Sequence, residues 1–212
     1  LKQLGFKNTI VFDNGIDISL KYRVSDSVIY DSKIKMIYSG SLEESKGISN
    51  IINSLILCKN NNINFKCNLM GEWVNESEKE YFVDLIEKND LKEDINFLGL
   101  LTGDKKWEKY TENAILLHPT FWDGQPISIL EAMGLGLAII STKVGAIPET
   151  VIDGDNGIIL KNNNPENLYD AIKQLYINRE LLKKYSSTNI DTFNKRFKNE
   201  IFLNNFKNWV EE

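Results

Sequence analysis

The chain has 212 residues, 42% of them hydrophobic and 26% charged, the balance of a folded globular domain rather than a disordered or fibrous one. Lys+Arg total 25 against Asp+Glu 30, and the net charge of -5 argues against a broad nucleic-acid footprint. No apolar run reaches the roughly 20 residues of a spanning helix, and Leu1 to Gly5 has no signal-peptide pattern, so a cytosolic protein is expected.

In chain order, Thr9-Ile10-Val11-Phe12 leads to the turn signal Asp13-Asn14-Gly15, and the polar stretch from Ser19 to Ser32 reads as a connection. From Lys33 onward, β-rich runs alternate with amphipathic segments: Ile34–Tyr38, helix near 47–58; Phe65–Met70, helix near 76–88; Ile95–Leu98, helix near 104–112. The series continues with Ala114–His118, a helix near 126–134, Ala138–Ser141, a short strand near 157–160 and a helix near 166–177. Such alternation predicts an α/β fold, a Rossmann-like, doubly wound parallel sheet with its ligand crevice beyond the carboxyl ends of the strands. Cys58, at a helix end, and Cys67, on the next strand, are expected to be small core residues; they support neither a disulfide framework nor a metal cluster. From Asn189 to Glu212, the positions Phe193, Phe197, Ile201, Phe202, Phe206 and Trp209 fall near helical spacing and predict one terminal helix, docked on this domain or on another. The organisation expected is therefore 1–32 as interdomain lead-in and linker, 33–188 as the main domain and 189–212 as the tail helix.

The most informative stretch runs from His118 to Gly134. A buried strand ends at His118, a loop follows, and Pro126 suits the first turn of a new helix, where its missing N–H would be unpaired anyway. The free amides and the positive end of that helix dipole suit a phosphate. Asp123 precedes the helix and Glu131 lies within it, so one carboxylate would reach a sugar while the other meets a ribose. No Gly-rich signature of the dehydrogenase or P-loop type occurs. Asp153-Gly154-Asp155, followed by Asn156-Gly157, is read as a hairpin turn rather than a metal motif. His118 is read as a structural histidine with its hydrogen bonds satisfied, and Glu149 after Pro148 as a helix start.

The segment resembles the donor-binding domain of retaining GT-B glycosyltransferases of family four, the group 1 glycosyl transferases, whose hallmark is a carboxylate, seven residues and Glu, followed by Ala-Met. Asn14-Gly15-Ile16-Asp17, Gly40-Ser41-Leu42 with Lys46-Gly47, Leu69-Met70-Gly71, Phe97-Leu98-Gly99, Val144–Glu149 and Asp155-Asn156-Gly157 agree in the same order. The resemblance implies that Glu131 binds the ribose hydroxyls, that Asp123 holds the transferred sugar and that Lys46 neutralises the departing diphosphate. It implies further donor contacts from Gly40, Ser41, Gly71, Gly124, Gln125, Ile127 and Ser128. Two positions depart from the pattern: Asp123 where Glu is usual, and Ser41 where a phosphate-binding Arg is usual. The resemblance requires no metal and no cofactor beyond the nucleotide sugar. Beginning at Leu1 without Met, the chain is expected to be the carboxyl-terminal half of a larger enzyme. An acceptor glycan or lipid-linked sugar, and any membrane contact, would belong to the preceding half. The alternatives are a nucleotide-sugar epimerase of the same architecture and a non-catalytic nucleotide-binding module.

Overall fold

A computed structural model describes residues 10–19 and 21–211. The first nine residues of the expected lead-in, together with Leu20 and Glu212, lie outside the described residues. Six strands form one parallel sheet: β1 (Ile34–Ser39), β2 (Phe65–Met70), β3 (Ile95–Gly99), β4 (Ile115–His118), β5 (Ala138–Ser141) and β6 (Gly157–Ile159). Their spatial order is β3-β2-β1-β4-β5-β6, with every neighbouring pair parallel. The winding reverses between β1 and β4, so a crevice opens at their carboxyl ends.

Every residue of β4 and β5 is buried, which is why these strands read as unbroken apolar runs rather than alternating ones. The connecting helices are α2 (Ile48–Asn60), α3 (Glu76–Lys88), α4 (Gly103–Thr111), α5 (Ile127–Leu135), the single turn α6 (Ile147–Thr150) and α7 (Pro165–Ile177). α2 buries Ile48, Ile51, Ile52 and Leu55 at i, i+3, i+4 and i+7, one face of a helix turned to the sheet, and packs beside α7. Asn75 caps α3 by accepting from the Ser77 and Glu78 amides, and Asn164 caps α7 by accepting from that of Asn167, each filling an otherwise orphan donor. Cys58 and Cys67 are buried, as expected, and burial pushes both thiols upward, that of Cys58 to about 12.

Four expectations are corrected. The polar connection before Ser32 is not a bare linker: it contains the one-turn helix α1 (Asp26–Ile29) and inserts Val24 and Ile29 into the core. The tail is two helices, α8 (Arg179–Arg196) and α9 (Asn199–Glu211), so α8 runs straight through the expected boundary at residue 189. The break follows from pairing with the lead-in: the Ile16 amide donates to the Phe197 carbonyl at 3.0 Å, and the Asn199 amide donates to the Ile16 carbonyl at 3.1 Å, in place of helical bonds. The turn at Asp153–Gly157 joins no hairpin, because β6 lies parallel to β5; the Asn156 side chain organises it, accepting from the Ile152 amide at 2.6 Å and donating to the Thr150 carbonyl at 3.1 Å. Pro126, with ψ 126°, is the extended residue capping α5 and not its first helical residue.

Candidate functional site

The loop after β1 and the loop after β4 meet at the switch point. A short 3-10 turn, Glu44–Lys46, ends at Gly47, whose φ of 82° lies in the left-handed region. A Cβ there would collide with the Pro119 carbonyl oxygen, so glycine is what lets the Lys46 turn close on the β4 loop. The Phe121 amide donates to the Ser45 carbonyl at 3.0 Å and completes the seam. Beside it, a Cβ on Gly71, just after β2, would strike the Gly40 carbonyl, which explains Gly71 as a close approach of backbones, while a Cβ on Gly40 would press on the Tyr38 hydroxyl.

Here opens a cavity of 560 Å³ lined by Gly40, Ser41, Gly71, Ile127, Ser128 and Glu131 among others. The amides of Ile127 and Ser128 begin α5, which has no side-chain cap, and its first turn therefore presents unsatisfied donors. Glu131 is 6% exposed, and two groups from α4 hold it. Lys106 Nζ donates to Oε1 at 2.5 Å and Tyr110 Oη to Oε2 at 3.0 Å. Burial first, and the Glu131 charge next, raise the Tyr110 hydroxyl well above its ordinary value, so it stays a protonated donor. Sequence reading missed Lys106 and Tyr110. The available signal was their i, i+4 spacing on the helix that precedes β4, since both then face the packed neighbour α5.

Lys46 and Asp123, assigned separate duties from the sequence, are bonded to each other. Lys46 Nζ donates to Asp123 Oδ2 at 3.0 Å and to the Trp122 carbonyl at 3.1 Å. The other oxygen, Oδ1, accepts from the Gly124 amide at 3.0 Å. The His118 ring, 3.4 Å from Oδ2, and then Lys46 hold the Asp123 carboxyl down to about 2, against the opposing effect of burial. His118 is not the satisfied histidine expected: it is buried, and neither ring nitrogen has a hydrogen-bond partner.

Gly124 and Gln125 are not drawn into the cavity. The Gly124 amide is spent on Asp123, and Gln125 Oε1 accepts from the Asn14 amide at 2.6 Å while its Nε2 donates to Asp13 Oδ1 at 2.8 Å. Asp13 also takes a two-pronged contact from Arg196, Nε at 2.7 Å and Nη2 at 3.1 Å. Gln125 therefore ties the lead-in and the end of α8 to the site. Ser41 lies on the cavity wall, where its carbonyl accepts from the Tyr38 hydroxyl at 2.6 Å.

A buried carboxylate, an uncapped helix start and a lysine–aspartate pair lie at the switch point of a Rossmann-like sheet, where α/β domains place their ligand crevice. Residues 24–191 match the family model for glycosyl transferases group 1, and the chain belongs to that family. An uncharacterized glycosyltransferase of Methanocaldococcus jannaschii is 31% identical over 188 residues, 89% of this chain and 49% of that protein. The chain spans about half the length of the curated relatives it matches. The fold is that of the carboxyl-terminal domain of GT-B glycosyltransferases. The C-terminal domain of a glycosyl transferase group 1 family protein, LpcC, from Francisella tularensis superimposes with a TM-score of 0.75 at 20% identity, covering 84% of this chain and 96% of that one. Anabaena HepE in complex with UDP and glucose gives 0.81 at 20% identity, covering 96% of this chain and 56% of that one. Family membership places the chain with the sugar transferases and not with the epimerases. Among the described residues, no helix is long and apolar enough to cross a membrane.

Proposed function

We propose that this chain is the donor-binding half of a retaining glycosyltransferase that moves a sugar from a nucleoside diphosphate to an acceptor hydroxyl. The observation that carries the reading is that Glu131 and the start of α5 line one cavity at the carboxyl end of the sheet, while the Lys46–Asp123 pair, which does not line that cavity, joins the loops after β1 and β4 at the same end. Glu131 accepts the ribose hydroxyls, exchanging them for the Lys106 and Tyr110 donors that hold it now. The diphosphate settles on the Ile127 and Ser128 amides, and Lys46 swings from Asp123 to the phosphate oxygens. As the bond from C1 to the diphosphate oxygen breaks, negative charge grows on the leaving group, where lysine and amides stabilise it more strongly than in the ground state. The acceptor oxygen then bonds to C1 and gives its proton to the departing diphosphate oxygen, whose basicity rises as its bond to C1 breaks. Asp123, released by Lys46, accepts hydroxyls of the transferred sugar. No metal is required in this scheme.

The acceptor, a glycan or lipid-linked sugar, is assigned to a preceding domain, and the setting to surface polysaccharide or glycoconjugate synthesis on the cytoplasmic side. The tail supports a second domain: Phe12 packs on Phe202, Phe206 and Trp209 at ring separations of 5.9–6.2 Å, while α9 buries no residue and leaves Leu203, Phe206, Trp209 and Val210 exposed. The exposed face is assigned to docking on that preceding domain.

Isothermal titration calorimetry tests the reading. The chain should bind UDP, GDP or ADP weakly and catalyse no transfer alone. No binding of any of the three at millimolar concentration contradicts the donor site, and robust transfer by the chain alone contradicts the division between halves.

A further inference from the structure

His118 is the only histidine of the chain and sits where the mechanism above gives it no task. It ends β4, 3% exposed, with both ring nitrogens free of hydrogen-bond partners. A polar group buried without a partner is a standing cost to the fold, and in a native site it calls for an explanation. Packing fixes the ring: Tyr38 stacks on it with centroids 6.5 Å apart and planes inclined by 12°, and the Ser141 hydroxyl donates to the His118 carbonyl at 2.8 Å. The next loop is equally tied, the Thr120 carbonyl accepting from Thr142 at 2.7 Å. Nε2 lies 3.4 Å from Asp123 Oδ2 without the alignment of a hydrogen bond, and the same oxygen is held at 3.0 Å by Lys46.

If the diphosphate draws Lys46 away, as the proposed donor reading requires, that oxygen loses its partner and the imidazole Nε2, 3.4 Å away, is a donor that a small turn of either side chain brings into line. We propose that His118 is a positioning residue for Asp123, whose Nε2–H closes onto the carboxylate once Lys46 has turned to the donor. The inference rests on the donor-site reading and gives the shorter aspartate side chain a fixed direction where a glutamate would reach further. With Oδ1 held by the Gly124 amide and Oδ2 by His118, the remaining lone pairs face the sugar hydroxyls.

Because the chain has one histidine, labelling with 15N-histidine gives a single imidazole to follow. Calorimetry is run in parallel with UDP against UDP-glucose, GDP against GDP-mannose and ADP against ADP-glucose. In His118→Leu the bare diphosphate should keep its Kd within about twofold, while the sugar conjugate weakens about tenfold, the size of one lost hydrogen bond to a charged group. His118→Gln, whose amide nitrogen stands near the place of Nε2, should restore most of that loss, which a merely space-filling histidine would not. Equal effects on both ligands, or none on either, overturn the proposal while leaving the donor site intact. If His118→Leu does not fold by circular dichroism, the labelled wild type decides. Its Nε2 signal should shift when the sugar conjugate binds and should not do so in Asp123→Asn. A bound conjugate that leaves the signal unmoved overturns the proposal. Failure of the wild type to bind any of the six ligands instead removes the donor reading beneath it.

Discussion

Glu131 is held from one side, by Lys106 and Tyr110 on the single helix α4, whereas Asp123 is reached from three parts of the chain: the turn after β1, the end of β4 and its own loop. Glu131 sits on a helix packed against α4 and α8, with 6% of its surface exposed. Asp123 sits on a loop, its side chain 20% exposed. The first carboxylate is a preformed acceptor, and a ligand has only to replace two donors of one rigid element. In the proposed reading the second is a junction that a ligand takes apart, because one of its partners, Lys46, is the cation a diphosphate would draw away. Eight residues of sequence separate a fixed contact from a rearranging one.

Breaking the junction at its cation is expected to give the largest effect. Lys46→Ala should weaken binding of a nucleoside diphosphate by roughly 1.5–3 kcal/mol, the range for hydrogen bonds to charged groups. Calorimetry checks this, and an unchanged dissociation constant in a folded variant would show that the lysine serves only Asp123.

A somewhat smaller effect should appear in the stability of the unliganded chain against pH. The Asp123 carboxyl is held at about 2 against an ordinary 3.8, so the folded state favours its ionised form. The stability this supplies is present above about pH 4 and is lost as the pH falls toward 2. Urea unfolding at pH 5 and pH 2.5 should show the loss in the wild type and a flatter profile in Asp123→Asn. Equal slopes in the two proteins would mean that the Lys46 bond and the nearby His118 ring add nothing to the fold.

The same contrast explains what could be read from the sequence. β2, β5 and the helix Glu76–Lys88 fall where the sequence pattern puts them: β5, buried on both faces, is continuously apolar, β2 alternates Phe65, Cys67 and Leu69 with Lys66 and Asn68, and the helix is amphipathic. The hallmark carboxylates were equally legible, since their spacing along one loop and one helix is local. Their partners were not. Lys106 and Tyr110 reach Glu131 from another helix, and the Lys46–Asp123 bond spans 77 positions. Gln125, adjacent to Gly124, is claimed by Asp13 and Asn14 from the other end of the chain. The break between α8 and α9 likewise has no Gly or Pro to announce it; it exists because Ile16 competes for the backbone groups at Phe197 and Asn199.

The division of labour between the two carboxylates is tested most directly by titrating Glu131→Gln and Asp123→Asn with a nucleoside diphosphate and with its sugar conjugate. Both substitutions conserve volume and most hydrogen-bonding capacity, so a change in affinity reports the lost charge. Glu131→Gln should weaken the two ligands alike, by about tenfold, because the ribose is common to both. Asp123→Asn should weaken the sugar conjugate alone and leave the bare diphosphate at least as tightly bound, since Lys46 then starts unpaired. Equal loss of the bare diphosphate in both variants, or loss in neither, would contradict the account.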